Sequence, residues 1–150
     1  MTFTPADPDY RARFAQSFAR QTAMQTLGIT AAEIAPGKIT LVMPFSERLS
    51  QQHGFIHAGV ITTGLDSACG YAAMSLMPAD AAVLSVEFKV NLLAPAHGDS
   101  FVFRGEVLKP GRTITVCEGK AYAITNGREK LIAAMTATMM AIVGRESIQG

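Results

Sequence analysis

The sequence predicts an α+β fold in which an antiparallel sheet curls around one long, enclosed helix. Three observations predict it. Residues from about Ala58 to Met77 are apolar on every side and rich in Gly and Ala, the pattern of a helix buried all round, and Pro78 ends it. Leu84, Val86, Phe88, Val90 and Leu92 alternate with Ser85, Glu87, Lys89 and Asn91, the period of two that marks a strand. Further extended runs follow at Phe101 to Leu108, Thr113 to Thr125 and Lys130 to Val143, punctuated by His97-Gly98, Pro110-Gly111 and Asn126-Gly127. The last pair tolerates the positive φ angles of a type I′ hairpin turn.

The first half supplies the rest of the layout. Asp7 followed by Pro8 predicts a helix start, with a side-chain acceptor at the N-cap and proline in the first turn. Tyr10, Phe14 and Phe18 recur at four-residue spacing and Gly28 is a natural stop, so one helix of about five turns is expected. Two short runs, Ile29 to Ile34 and Lys38 to Pro44, flank Pro36-Gly37 and read as a hairpin. Strand alternation places Ser85 on the face opposite Val86 and Phe88. The small residues of the long helix let another backbone come close, so a sheet wrapped tightly around it is expected. No linker, repeat or low-complexity segment divides the chain; the expectation is one domain over 1–150, with 1–28 a helical extension.

Composition narrows the function classes. Of 150 residues 49% are hydrophobic and 17% charged, and tryptophan is absent, which fits a globular chain with some surface covered by a partner subunit. A net charge of +1 gives no electrostatic reason to expect nucleic acid or a membrane surface. The N-terminus lacks the layout of a signal peptide. Thr62, Thr63, Asp66 and Ser67 interrupt the longest apolar region, a poor membrane span. Cys69 and Cys117 read as buried reduced thiols, so a cytoplasmic protein is expected.

The chemistry concentrates in one stretch, QQHGFIHAGVITTGLDSACGYAA, from Gln51 to Ala73. Asp66 is an ionisable carboxylate in a helix of small and apolar residues, and burial without a partner is costly. Its helix neighbours three and four positions away, Thr62, Thr63, Cys69 and Gly70, are small and predict a hollow beside it. A partly desolvated carboxylate facing a hollow suits a general base or a nucleophile. His57, Ala58 and Gly59 stand at the helix start, where backbone N–H groups lack internal partners and the dipole is positive. Amides at Ala58 and Gly59 therefore suit a developing oxyanion. His57 and Asp66 are about 13 Å apart along a helix axis and on opposite faces. For the two to act on one carbonyl, the helix start of one subunit must face Asp66 of another, which predicts a site at a homodimer interface.

These residues resemble a known family. Gly54-x-x-His57-Ala58-Gly59, Asp66 nine residues after the His, and the run SVEFKVNLLAPAHGD are similar to the hotdog-fold acyl-CoA thioesterases of the phenylacetate-degradation type, from about Gly37 to Ile142. The resemblance implies the helix-wrapped sheet, a homodimer or dimer of dimers with two-chain sites, and no cofactor beyond the coenzyme A of the substrate. It implies that Asp66 activates water or attacks the thioester carbon, that His57 lies near the thioester, and that the Ala58 amide meets its carbonyl oxygen. Gln51 stands where relatives keep a polar Asn or Gln, and Ser85 where some hold the water with a hydroxyl. Gly54, Phe55, Asn91 and Arg112 are the further substrate-binding candidates, Arg112 as a contact to coenzyme A phosphate. Ala94 replaces a residue that is often basic in the family, and His-Ala-Gly replaces the commoner His-Gly-Gly.

Other residues carry less. His53 and His57 lack a third ligand at sensible spacing, so no metal site is expected. Cys69 has nothing basic near it in sequence to make it a nucleophile. His97 reads as a turn residue, and Lys89, Arg104, Lys109 and Lys120 as solvated strand faces. The function expected is hydrolysis of an acyl- or aryl-acyl-CoA thioester. A non-catalytic acyl-CoA binding or sensing protein is the alternative on the same fold, and a hydratase or dehydratase would need a second catalytic acid that the sequence does not offer.

Overall fold

The structure, a computed structural model, describes residues 2–144 and Ile148. Its elements run α1 (Tyr10–Arg20), α2 (Thr22–Leu27), β1 (Thr30–Ala35), β2 (Lys38–Pro44), a 3-10 turn (Glu47–Leu49), α3 (Ala58–Met74), β3 (Ala81–Leu92), β4 (Ser100–Lys109), β5 (Ile114–Thr125) and β6 (Arg128–Val143). The six strands form one antiparallel sheet in the order β1-β2-β4-β5-β6-β3. It wraps α3, as the enclosed pattern predicted.

Glycines set how tightly the wrap closes. A Cβ on Gly105 of β4 would stand 2.4 Å from the Ala68 backbone carbon and oxygen, and one on Gly119 of β5 3.0 Å from the Cys69 sulfur. Sheet and helix therefore touch backbone to backbone on β4. Phe101, Phe103, Leu65, Ile61, Met135 and Met139 fill the remaining space and are almost wholly buried. Asn126 and Gly127 have φ of 50° and 74°, the expected type I′ pair.

Four expectations need correction. The N-terminal helix is two helices, broken at Gln21, whose ψ of 86° leaves the helical region. Phe14 and Met24 are both buried, yet ten residues apart they would diverge by about 80° around a continuous helix; the break turns both inward. Asp7 is not the N-cap, which is Asp9. The Asp7 carboxylate instead accepts the Asp9 N–H at 2.9 Å and pairs with Arg13 at 3.5 Å. The central helix stops at Met74, before the Met77 expected from Pro78. There the Arg13 guanidinium donates to the carbonyls of Met74 (2.6 Å), Met77 (2.9 Å) and Pro78, one acceptor at the helix end and two just past it; Met74 and Pro78 also accept the Met77 and Ala81 N–H groups at 3.0 and 3.1 Å.

The fourth correction concerns β3. Its pairing with β6 slips by one between Ser85 and Glu87, so Ser85 opposes Met139 while Phe88 opposes Ala137 and Val90 opposes Met135. Those three β6 residues are buried toward α3. The bulge thus puts Ser85 on the same helix-facing side as Phe88 and Val90, where simple alternation put it opposite. β3 is also the edge of the sheet. Leu84, Val86, Phe88 and Leu92 are 44, 52, 43 and 56% exposed, so these four apolar residues are not core within this chain.

Candidate active site

Asp66 projects from the middle of α3 toward β3, half-buried, and the Ser85 hydroxyl donates to its Oδ1 at 2.7 Å. A cavity of about 240 Å³ opens beside the carboxylate, lined by Ser17, Gln21, Ser67, Gly70, Tyr71 and Ser85 among others. The predicted hollow exists, with different walls. Gly70 is the small residue that makes it, since a Cβ there would meet nothing within 4 Å. Thr62 and Thr63 instead bond back to the Ala58 and Gly59 carbonyls at 2.8 Å each, and Cys69 is core.

The start of α3 lies in a second cavity of about 620 Å³, lined by Gln51, His53, Phe55, His57, Ala58 and Leu93 among others. His57 is the N-cap, and its Nδ1 accepts the Gly59 N–H at 2.9 Å. That bond corrects one expectation: the Gly59 amide is spent on the cap and is not a free oxyanion donor. With Nδ1 accepting, Nε2 is the ring nitrogen left to donate. Among the described residues no acceptor takes the Ala58 N–H. Gln51 is oriented in the same way. Its Oε1 accepts the His53 N–H at 2.5 Å, which leaves the Nε2 hydrogens as donors. Ala58, Gln51 and His57 thus present donors into one cavity, the chemistry a carbonyl oxygen needs as it becomes an oxyanion.

The two cavities share no lining residue. Within one chain the structure joins Asp66 with Ser85, and Gln51 with Phe55, His57 and Ala58, but does not join the two sets. Gly54 only shapes the turn, at φ +80°. Asn91 opposes Ala134 on the face turned away from α3, and Arg112 is exposed at the β4–β5 turn; neither lines these cavities. Sequence reasoning missed Ser17, Gln21 and Tyr71 as walls of the Asp66 hollow, because nothing local marks which helix face lies against β3. Among the described residues no three His, Cys, Asp or Glu side chains gather closely enough to hold a metal ion, and no helix is long and apolar enough to cross a membrane.

The thiols are unsuited to nucleophilic work. Both are free and buried, and the Cys117 Sγ lies 3.5 Å from the Cys69 carbonyl oxygen. Burial pushes Cys117 up to about 12, and burial, then the nearby Cys117, Asp66 and Glu118, pushes Cys69 up as well. Both folded values exceed the unfolded one near 9.0, so the stabilisation is full below that pH and is lost progressively as pH rises from there through the folded values. Melting temperature is expected to fall above about pH 9 and to fall less in Cys117→Ala than in the parent chain, measured by thermal melts in steps of pH.

Comparison with known proteins decides the family. Residues 53–130 match the family described as the thioesterase superfamily. The chain belongs to that superfamily. Membership makes it a hydrolase, and the matched segment contains the start of α3, Asp66 and Ser85. A thioesterase family protein from Silicibacter pomeroyi has a solved structure 57% identical to this superfamily member, with a TM-score of 0.89 over 90% of this chain and 99% of that one. The structure of the E. coli PaaI protein from the phenylacetic acid degradation operon aligns at a TM-score of 0.82 and 18% identity, over 93% of this chain and 97% of that one, a likeness of fold. Among relatives by sequence, a provisionally assigned esterase of Saccharolobus solfataricus is 29% identical over 92 residues; the alignment takes 61% of this chain and 65% of that protein. A 1,4-dihydroxy-2-naphthoyl-CoA hydrolase of Listeria monocytogenes is 27% identical over 108 residues, 72% of this chain and 85% of that one. The fold is therefore the hotdog arrangement that the sequence resembled.

Proposed function

We propose that this chain hydrolyses an acyl- or aryl-acyl-CoA thioester to the free acid and coenzyme A, in the cytoplasm, at a site built from two copies of the chain. The observation that carries this reading is the Ser85–Asp66 pair and the donor cluster standing at the two ends of one exposed edge strand. Ser85 borders the Asp66 hollow and Leu92 borders the cavity of Gln51, His57 and Ala58. Along β3 they are about 20 Å apart, too far for one carbonyl. A long apolar edge strand invites pairing. If two copies pair antiparallel about a twofold axis near Phe88 and Lys89, Ser85 of one opposes Leu92 of the other, and each hollow meets the other chain's donors. The pairing also covers Leu84, Val86 and Phe88. The resulting dimer is the minimal active unit, alone or within a dimer of dimers.

In this arrangement the Ala58 N–H and Gln51 Nε2 of one chain hold the thioester carbonyl oxygen. Asp66 of the other takes a proton from water as the water oxygen bonds to the carbonyl carbon; the carbon–sulfur bond then breaks and coenzyme A leaves as its thiol with that proton. Direct attack by Asp66, through an anhydride opened by water, uses the same geometry. Neither route calls for a metal or a bound cofactor. The name of the Listeria relative supports a coenzyme A thioester as substrate.

Subunit mixing tests the reading after a panel of short, medium, long and aryl acyl-CoA thioesters has identified one that releases free thiol. Asp66→Asn and Gln51→Ala chains, each impaired alone, are expected to recover about a quarter of wild-type activity when unfolded together and refolded in equal amounts, because random pairing gives half the dimers one intact site. No recovery above the separate variants would place both groups in one chain.

A further inference from the structure

β6 carries a second bulge, and it re-aims charge. Ala121 opposes Ala133 while the next residue, Tyr122, opposes Leu131, so Ile132 is the extra residue. Its carbonyl is not idle: it accepts the Leu93 and Ala94 N–H groups at 2.8 and 3.2 Å, tying the β3–β4 connection to the bulge. Beyond it the facing pattern reverses. Lys130 opposes Ala123, which is buried toward α3, and Arg128 opposes Thr125, two residues further on the same side. Both cations therefore stand on the helix side of the sheet, the side of the Gln51–His57–Ala58 cavity. Glu129 is turned to the outer face, where Arg104 holds its carboxylate through bonds of 2.9 and 2.5 Å.

The consequence is a cationic groove next to the donor cavity. A third cavity, about 480 Å³, is lined by His97, Thr125, Asn126, Arg128, Glu129 and Lys130. It adjoins the donor cavity through consecutive residues, since Pro95 and Ala96 line the one and His97 the other, and the His97 ring packs edge-on to Phe55 with centroids 6.2 Å apart. On β6, Ile132 lines the donor cavity while Lys130 and Arg128 stand about 7 and 13 Å further along at a strand's rise per residue. The other acid nearby, Asp99, accepts the Asn126 N–H at 3.2 Å. Arg112, by contrast, sits at the β4–β5 turn, at the far end of these strands from the β5–β6 hairpin.

We infer that Arg128 and Lys130, with His97 beside them, hold the phosphates of the coenzyme A half of the substrate, its pantetheine arm lying through the donor cavity. This rests on the hydrolase reading above. Ala94 leaves the β3–β4 connection without a cation, and the bulge bonded to that same connection brings two in from β6. Guanidinium and ammonium groups on one face suit phosphate oxygens, and exposure makes the grip a matter of affinity rather than chemistry.

The test compares two thioesters of the same acyl group, one of coenzyme A and one of N-acetylcysteamine, which has no phosphates. The Arg128→Ala/Lys130→Ala double variant is expected to raise KM for the coenzyme A thioester about tenfold with kcat unchanged, and to leave kcat/KM for the truncated thioester as in wild type. A KM that does not move, an equal loss with both thioesters, or the loss appearing in Arg112→Ala instead would overturn the assignment. If the wild-type chain hydrolyses neither thioester, the hydrolase reading fails, and calorimetric titration with coenzyme A itself still decides the groove: about tenfold weaker binding by the double variant supports it, and equal binding or none by either protein overturns it.

Discussion

Asp66→Asn is expected to lower kcat by a factor of about 10² to 10⁴ and to leave the fold and coenzyme A affinity in place. The amide is nearly the same size as the carboxylate, and its oxygen still accepts the Ser85 hydroxyl that now bonds Oδ1 at 2.7 Å. What disappears is the capacity to take a proton from water or to form an anhydride. Ser85 and the neighbouring hollow remain, so a thioester can still enter and find its carbonyl donors. Thiol release under single-turnover conditions measures the loss, with a thermal melt to show that the variant folds. Wild-type chain run in ¹⁸O-water then separates the routes, since direct attack leaves label in the Asp66 carboxylate. Undiminished hydrolysis by Asp66→Asn would sink the catalytic assignment and leave a protein that binds acyl-CoA.

Gly105→Ala is expected to be strongly destabilising, because the added methyl group is driven into the backbone of the central helix. Its Cβ would stand 2.4 Å from the Ala68 carbon and oxygen and 2.7 Å from the Cys69 nitrogen. All three are backbone atoms of a helix held on several sides, so no side chain can rotate away. β4 is itself paired on both edges, to β2 and β5. Overpacking of a well-filled core costs about 1–3 kcal/mol and occasionally more, and this site belongs at the upper end. For a chain of this size about 3 kcal/mol lowers the melting temperature by roughly 6–12 °C. A melt unchanged within a degree or two would mean that helix and sheet are not in backbone contact.

Much of this was legible in the sequence, for physical reasons that can be named. Period-two alternation marks a strand whatever its surroundings, and Asn126-Gly127 marks its turn through φ alone. Asp66 stood out because a charge in an enclosed helix demands an explanation. The bulges were not legible. Each adds one residue to a ladder, and neither Val86 nor Ile132 is a glycine or proline that would mark a bulge, so the reversal of facing at Ser85 and at Lys130 emerges only from the pairing register. The cap by His57 was hidden likewise: a histidine before a helix looks the same whether its ring accepts the Gly59 amide or points away. The break at Gln21 has no glycine or proline to announce it, and follows from the need to bury both Phe14 and Met24.

Arg13 has a bearing on how chains of this kind can be recombined. The segment matched to the superfamily begins at residue 53, yet the end of the helix that carries Asp66 is held by a guanidinium forty residues upstream. A chimera that grafts 53–130 onto another N-terminal half would inherit the carboxylate and lose the clamp; the Met74 and Pro78 carbonyls would keep the Met77 and Ala81 N–H groups, and the Met77 carbonyl would have to find another donor. The portable unit begins at or before Asp7, which pairs with that arginine, and not where the family likeness does.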